Sequence, residues 1–203
     1  MTVRHHLLAC LLLLLPLPAQ ADVRLVVREY LNSRPTVTTT HWFGEDKSAR
    51  DDGRVRTIMR FDLGRIYVVD QQERTYRSLE VQEAPSLKVI VLPTQDTALI
   101  GNWLVRRWRV AGPAARDLTI NLWTTTDIER GDAFVELMNK LARQPGAEWL
   151  AAYAEIDGFP IIQEISLTEK GMTQTRRTEV ASHAVMDPPP ETYLPPRGYQ
   201  RIP

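Results

Sequence analysis

The chain has 203 residues, with 25 Lys and Arg against 25 Asp and Glu, 43% hydrophobic residues, one cysteine and 14 prolines. That composition is ordinary for a globular chain and excludes the collagen, coiled-coil, disulfide-scaffold and wholly disordered classes. A formal charge of zero leaves no basic footprint, so no nucleic-acid partner is expected.

The N-terminus reads as a targeting segment. Arg4, His5 and His6 precede the apolar run Leu7 to Leu15, Pro16 and Pro18 interrupt it, and Ala19-Gln20-Ala21 supplies the small residues that a signal peptidase reads. The run is far shorter than the ~20 residues of a spanning helix. Cleavage is expected after Ala21, making residues 1–21 a signal peptide and the mature chain, from Asp22 onward, periplasmic or secreted. Leu7-Leu8-Ala9-Cys10 looks like a lipid-attachment box, but five leucines follow Cys10 and place it inside the apolar run. The mature chain is then free of cysteine, with no disulfide, thiolate nucleophile or Cys-bound metal.

Val23 to Leu31 alternates, with Val23, Leu25 and Val27 on one side and Arg24 and Arg28 on the other, as a half-buried strand does. Arg34-Pro35 reads as a turn and Thr36 to Phe43, β-branched and aromatic, as the partner strand. Gly44 to Gly53 is polar and glycine-bounded, hence a loop. In Arg54 to Phe61 the residues Val55, Thr57, Met59 and Phe61 share one face, and Arg54, Arg56, Ile58 and Arg60 the other. Tight turns at Asp62-Leu63-Gly64 and Asp70 to Arg74 then give strands over Ile66 to Val69 and Thr75 to Leu79, an antiparallel meander.

Leu87 to Leu92 reads as a strand or buried crossing segment ended by Pro93. Over Leu99 to Val110 the apolar face changes: Leu99, Gly101, Trp103 and Val105 share one side, Trp108 and Val110 the other, which predicts a bulge or bend. Leu118 to Thr126 returns to plain alternation. Phe134, Leu137, Met138 and Leu141 have helical spacing behind a cap at Asp127 or Asp132, and Pro145-Gly146 ends that helix. Trp149, Leu150 and Tyr153 form a second short helix stopped at Gly158. Strands over Phe159 to Leu167 and Met172 to Met186 meet at the turn Glu169-Lys170-Gly171. Six prolines, Pro188, Pro189, Pro190, Pro195, Pro196 and Pro203, make the tail extended, packed along the sheet.

About seven strands, a helical insertion, two more strands and a tail imply an α+β fold in which a curved, mainly antiparallel sheet wraps over a helical segment. Residues 22–186 form one domain and 187–203 a proline-rich extension.

Catalytic signatures are scarce. No Gly-rich phosphate loop and no Gly-x-Ser-x-Gly occurs. His41 and His183 are far apart and lack ligand spacing, so no metal and no cofactor is expected. Glu45, Asp46, Asp51 and Asp52 could hold calcium, but Lys47, Arg50 and Arg54 interleave with them and the order is wrong, so a solvated turn is the simpler reading. Asp127, Glu129 and Asp132 could be an acid/base set, but acids at a helix start offset its dipole. The chain is therefore read as not an enzyme. Arg54, Arg56 and Arg60, with Arg106 or Arg107 nearby, coat an outer face or meet an anionic group. The five tryptophans, Trp42, Trp103, Trp108, Trp123 and Trp149, either fill a core or line an apolar cavity.

Trp42-Phe43-Gly44-Glu45-Asp46-Lys47 with Arg50 resembles the opening of the DUF4412 type of bacterial envelope proteins. Ile66-Tyr67-Val68-Val69-Asp70 with Arg74-Thr75-Tyr76 is similar to its next hairpin. The run Ile100-Gly101-Asn102-Trp103 to Val110, followed by Leu122-Trp123 to Asp127-Ile128, resembles its central signature. Gly158-Phe159-Pro160 and Pro195-Pro196-Arg197-Gly198-Tyr199 resemble its last strand and its end. Where that family often has a Cys after Ile-x-Gly, this chain has Val105 or a neighbour. The resemblance implies the open-barrel, or half-barrel, architecture of periplasmic lipoprotein carriers of the LolA and LppX kind, with an apolar concave side.

These readings lead to a periplasmic, non-enzymatic, monomeric protein that binds a lipid or lipoprotein acyl group, with Trp103, Trp108, Trp123, Phe134 and Met138 as lining residues. The alternatives are a structural protein with a filled core that docks an envelope partner through a sheet edge or the tail, and a hydrolase using Asp127 or His183.

Overall fold

The computed structural model describes residues 21–83, 88–111 and 118–203. The signal segment, except Ala21, and Cys10 lie outside the described residues. Among the described residues no helix is long and apolar enough to cross a membrane.

Among the described residues, eleven antiparallel strands and one short parallel strand form a single sheet that does not close. They are β1 (Asp22–Leu31), β2 (Arg34–Gly44), β3 (Lys47–Asp51), β4 (Val55–Arg60), β5 (Arg65–Asp70), β6 (Thr75–Glu80), β7 (Ile90–Ile100), β8 (Trp103–Ala111), β9 (Leu118–Thr125), β10 (Phe159–Glu169), β11 (Met172–Met186) and β12 (Gln200–Arg201). Their order across the sheet is β12-β6-β5-β4-β3-β2-β1-β11-β10-β9-β8-β7. Helix α1 (Asp132–Leu141), a 3₁₀ turn at Glu148–Ala151 and α2 (Ala152–Glu155) lie on the concave side. The α+β curved-sheet expectation therefore holds.

Alternation builds two cores on opposite faces and in opposite halves of the sheet. On the concave side, Phe134, Leu137 and Met138 of α1 and Tyr153 of α2 pack with Leu25, Val27, Val110, Ile120, Leu122, Phe159 and Ile161. This core draws on β1, β2 and β7–β11 and takes no residue from β3–β6. On the convex side, Trp42, Ala49, Ile58 and Val69 of β2–β5 are covered by Tyr193 and Tyr199 of the tail. Ile58 and Val69 are 0% exposed, a burial that stabilises by about 1.5–3 kcal/mol per side chain. The tail is thus packed along the sheet, and β12 pairs in parallel with β6, Gln200 opposite Thr75.

Several local expectations change. The polar stretch 44–53 contains a strand, β3. Its residues alternate between two ion-pairing faces: Arg50 bonds Glu29 on the concave side, and Asp51 bonds Arg56 on the convex side. The first hairpin turns at Asn32 and Ser33, both with positive φ, and Pro35 sits inside β2 at a register shift. Pro93 does not end β7. The strand lies at the sheet edge, where a missing N–H costs no ladder bond, and its register shifts between Pro93 and Thr97. The stretch 99–110 is a hairpin turning at Gly101 (φ 59°) rather than one strand.

The predicted change of face is present within β8. Val105 and Val110 both belong to the concave core although a regular strand would oppose them. The β8–β9 ladder begins only at Arg106, so the tip of the β7–β8 hairpin leaves the sheet and turns Trp103 and Val105 back toward the core. Helix α1 starts after Gly131, without a side-chain cap, so neither Asp127 nor Asp132 caps it; Asp132 instead lies in its first turn.

Candidate functional site

Strand register reads the concave face as rows of side chains, since residues directly opposite in antiparallel strands share a face. The first row runs Val185, Val23, Phe43, Ser48, Met59, Ile66, Leu79. The second runs His183, Leu25, His41, Arg50, Thr57, Val68, Arg77. Phe43 meets Phe134 of α1 edge to face, 5.6 Å between centroids. Further along the first row the helical cover stops. Val55, Met59, Ile66 and Val68 of β4 and β5 are half-buried and belong to neither core. This is an apolar strip on the concave side that no helix among the described residues covers.

A cleft of about 500 Å³ opens beside the start of α1, lined by Val23, Phe43, Ala133, Phe134 and Val185 together with Glu45, Lys47 and Glu129. At the other end of α1 a cleft of about 410 Å³ is lined by Phe61, Val81, Lys140, Arg143 and Gln144 among others. Lys140 reaches Asp46 and Glu136, which moors the last turn of α1 to the β2–β3 turn. Arg130 donates to the carbonyls of Tyr153 and Ile156, which fixes α2 beneath it.

A polar centre lies beside the second row, built around its His41 and Arg50. Glu29, almost wholly buried, accepts from Arg50 and from Arg176 at 2.7 Å each. Burial alone raises its carboxyl, but the two guanidinium groups hold it below the usual carboxylate range. Beside it Thr39, fully buried, shares a hydrogen bond of 2.9 Å with His41 Nε2. Burial, reinforced by the Arg50 cation, pushes His41 down to about 4. His183 lies on the same row across Leu25, edge-on to Phe159, and burial lowers it also. The two histidines, far apart in sequence, are therefore two strands apart on one face, which only the β1–β11 pairing reveals.

The five expected lining residues separate. Phe134 borders the 500 Å³ cleft, and Trp108 borders a smaller one of about 180 Å³. Met138, on α1, is buried in the concave core. Trp108 Nε1 donates to Thr124 Oγ1 at 2.9 Å, and that hydroxyl donates to the Asp157 carbonyl at 2.7 Å, which fixes the indole. Arg107 lies 5.6 Å above the Trp123 ring, and Trp103 is half-buried opposite Ile100. Met59, Ile66 and Val68 were not singled out in the sequence. Their alternation was visible; that no helix among the described residues covers them was not. Of the acids of the 44–53 stretch, Asp52, Asp51 and Asp46 are committed to Arg50, Arg56 and Lys140, and among the described residues no group of three or more His, Cys, Asp or Glu is placed to hold a metal.

No family model matches the chain, so the DUF4412 resemblance gains no support there, and no curated protein matches it. Among solved structures, an uncharacterized conserved protein from Thermus thermophilus is similar over 91% of both chains, at 7% identity and a TM-score of 0.53. PNGF-II is similar at 10% identity and a TM-score of 0.45, over 89% of this chain and 30% of its own, so this chain spans under a third of that protein. A LolA superfamily protein from Nitrosomonas europaea is similar at 9% identity and a TM-score of 0.31, over 87% of this chain and 91% of its own. Of these three, the Thermus likeness alone exceeds 0.5, and it speaks to the fold alone.

Proposed function

We propose that this chain is a non-enzymatic periplasmic or secreted module that binds a lipid or protein-linked acyl group on its concave side. The observation that supports the reading is the unequal roofing of that side. The helices fill the half built on β1 and β7–β11, while Val55, Met59, Ile66 and Val68 stay half-buried beyond the reach of either core. An acyl chain lying there removes apolar surface from water at ~25 cal/mol per Å². Phe43 and Phe134 join this strip to the 500 Å³ cleft, which gives the chain end a second place to go. Arg77, exposed beside Val68 and without an ion-pair partner among the described residues, suits an anionic head group.

The rest of the expected lining, Trp103, Trp108, Trp123 and Met138, serves on this reading as the wall behind the site rather than its surface. Native mass spectrometry and lipid extraction of protein purified from its own cells test the proposal. A bound species of acyl-lipid mass is expected. Protein that is folded and carries nothing would remove the carrier role and favour the filled-core interaction protein.

A further inference from the structure

We propose that the outer face of the β7–β8 hairpin docks on an anionic lipid surface. This edge of the sheet is opposite the one formed by β6 and β12, so the inference is independent of the acyl site on β4 and β5. Leu99 and Leu104 are direct cross-strand partners beside the turn at Gly101-Asn102. Their neighbours Ala98, Ile100, Trp103 and Val105 pack inward, which leaves the two leucines pointing away from the core, 72% and 64% exposed. Down the stem, Val91 and Val110 pack inward, and Ile90 and Leu92 are exposed on the outer side. Leu99 and Leu104 at the tip and Ile90 and Leu92 at the stem, on either side of the change of face in β8, give the ribbon two exposed apolar pairs.

The cations decide the occupant. Arg106 follows Leu104 by two residues, Arg109 stands opposite Leu92, and both are exposed. Among the described residues neither has an ion-pair partner, whereas the neighbouring Arg107 is held by Asp96. An exposed apolar tip flanked by guanidinium groups that have no ion-pair partner among the described residues matches the boundary between acyl chains and anionic head groups, where apolar side chains enter and basic ones stay at head-group level. The outer side of the tip is open to a surface, because Trp103 to Val105 pair only with β7 and Leu99 and Leu104 face away from the core.

The test is co-sedimentation of the purified protein with phosphatidylcholine vesicles, with and without phosphatidylglycerol. Wild-type protein is expected to bind the anionic vesicles, with binding weakened by salt. Leu99→Asp with Leu104→Asp, and separately Arg106→Glu with Arg109→Glu, should each weaken binding by roughly tenfold or more. The arginine pair keeps the test informative if the leucine pair misfolds. Equal binding to both vesicle types, no binding to either, or full binding by the arginine variant would overturn the proposal. So would a wild-type dimer that the leucine substitutions dissociate, since the face would then be covered by a second copy of the chain.

Discussion

The Tyr193 hydroxyl donates a hydrogen bond of 2.6 Å to Asp22 Oδ2, and both residues are buried. This contact ties the C-terminal tail to the first residue of β1. Around it, the Tyr193 carbonyl accepts from Arg60 and its ring lies 4.8 Å below the Lys47 ammonium. Burial, together with Asp22, pushes the phenol far above its usual range, so it stays a donor. Tyr193→Phe leaves a buried carboxylate short of one donor and should cost about 1–3 kcal/mol in urea unfolding.

Removing residues 187–203 has a larger consequence. It bares Ile58, Val69 and Trp42, and should cost on the order of 4 kcal/mol or abolish folding. Tail deletion is therefore no test of partner docking in an otherwise intact fold. A truncated protein with an unchanged denaturation midpoint would show that the convex core does not depend on the tail.

Acid should weaken the fold in two stages. His41 is held at about 4 against an ordinary 6.5. Between those values the unfolded chain takes up a proton that the folded chain refuses. Stability should thus be intact above about 6.5 and fall as pH drops towards about 4, a loss of ~2–3 kcal/mol. Glu29, held down by Arg50 and Arg176 against its burial, adds its own loss as pH falls through the ordinary carboxylate range and below it. His41→Gln should shrink the first stage, leaving the share of His183, which burial also lowers, and spare the second, as read from denaturation midpoints across pH. An unchanged slope in that variant would remove His41 as the cause.

Gly158 is required where β10 begins. Its φ is 82°, and a Cβ there would lie 2.5 Å from the Thr125 carbonyl oxygen. Gly158→Ala must both strain the backbone and push β9 from β10, so a loss of about 2–4 kcal/mol is expected in thermal or urea unfolding. A near-neutral result would mean that the two strands separate there at little cost.

Much of the fold was legible because most strands alternate with one buried face, and α1 carries the helical spacing of Phe134, Leu137 and Met138. Alternation fails where both faces are used. In β4 the arginine-bearing side holds Ile58, the more deeply buried residue, because a distant tail covers it. In β3 the face code is written in charges, so Arg50 and Asp51 read as loop. The candidate site was less legible still. Which apolar face stays uncovered depends on where α1 lands, and that is set by long-range contacts such as Lys140 with Asp46. The tryptophans drew notice for their size, yet Trp108 is fixed by Thr124 and Trp123 lies under Arg107.

Titration with a fluorescent fatty acid tests the central claim most directly, comparing wild-type protein with Met59→Asp plus Ile66→Asp and with Leu104→Asp as a surface control. Saturable binding is expected in the wild type and the control, roughly tenfold weaker in the double variant with its fold retained, because a chain laid on the β4–β5 strip must then cover two carboxylates. Absence of saturable binding in the wild type, or equal affinity in the folded double variant, would contradict the account.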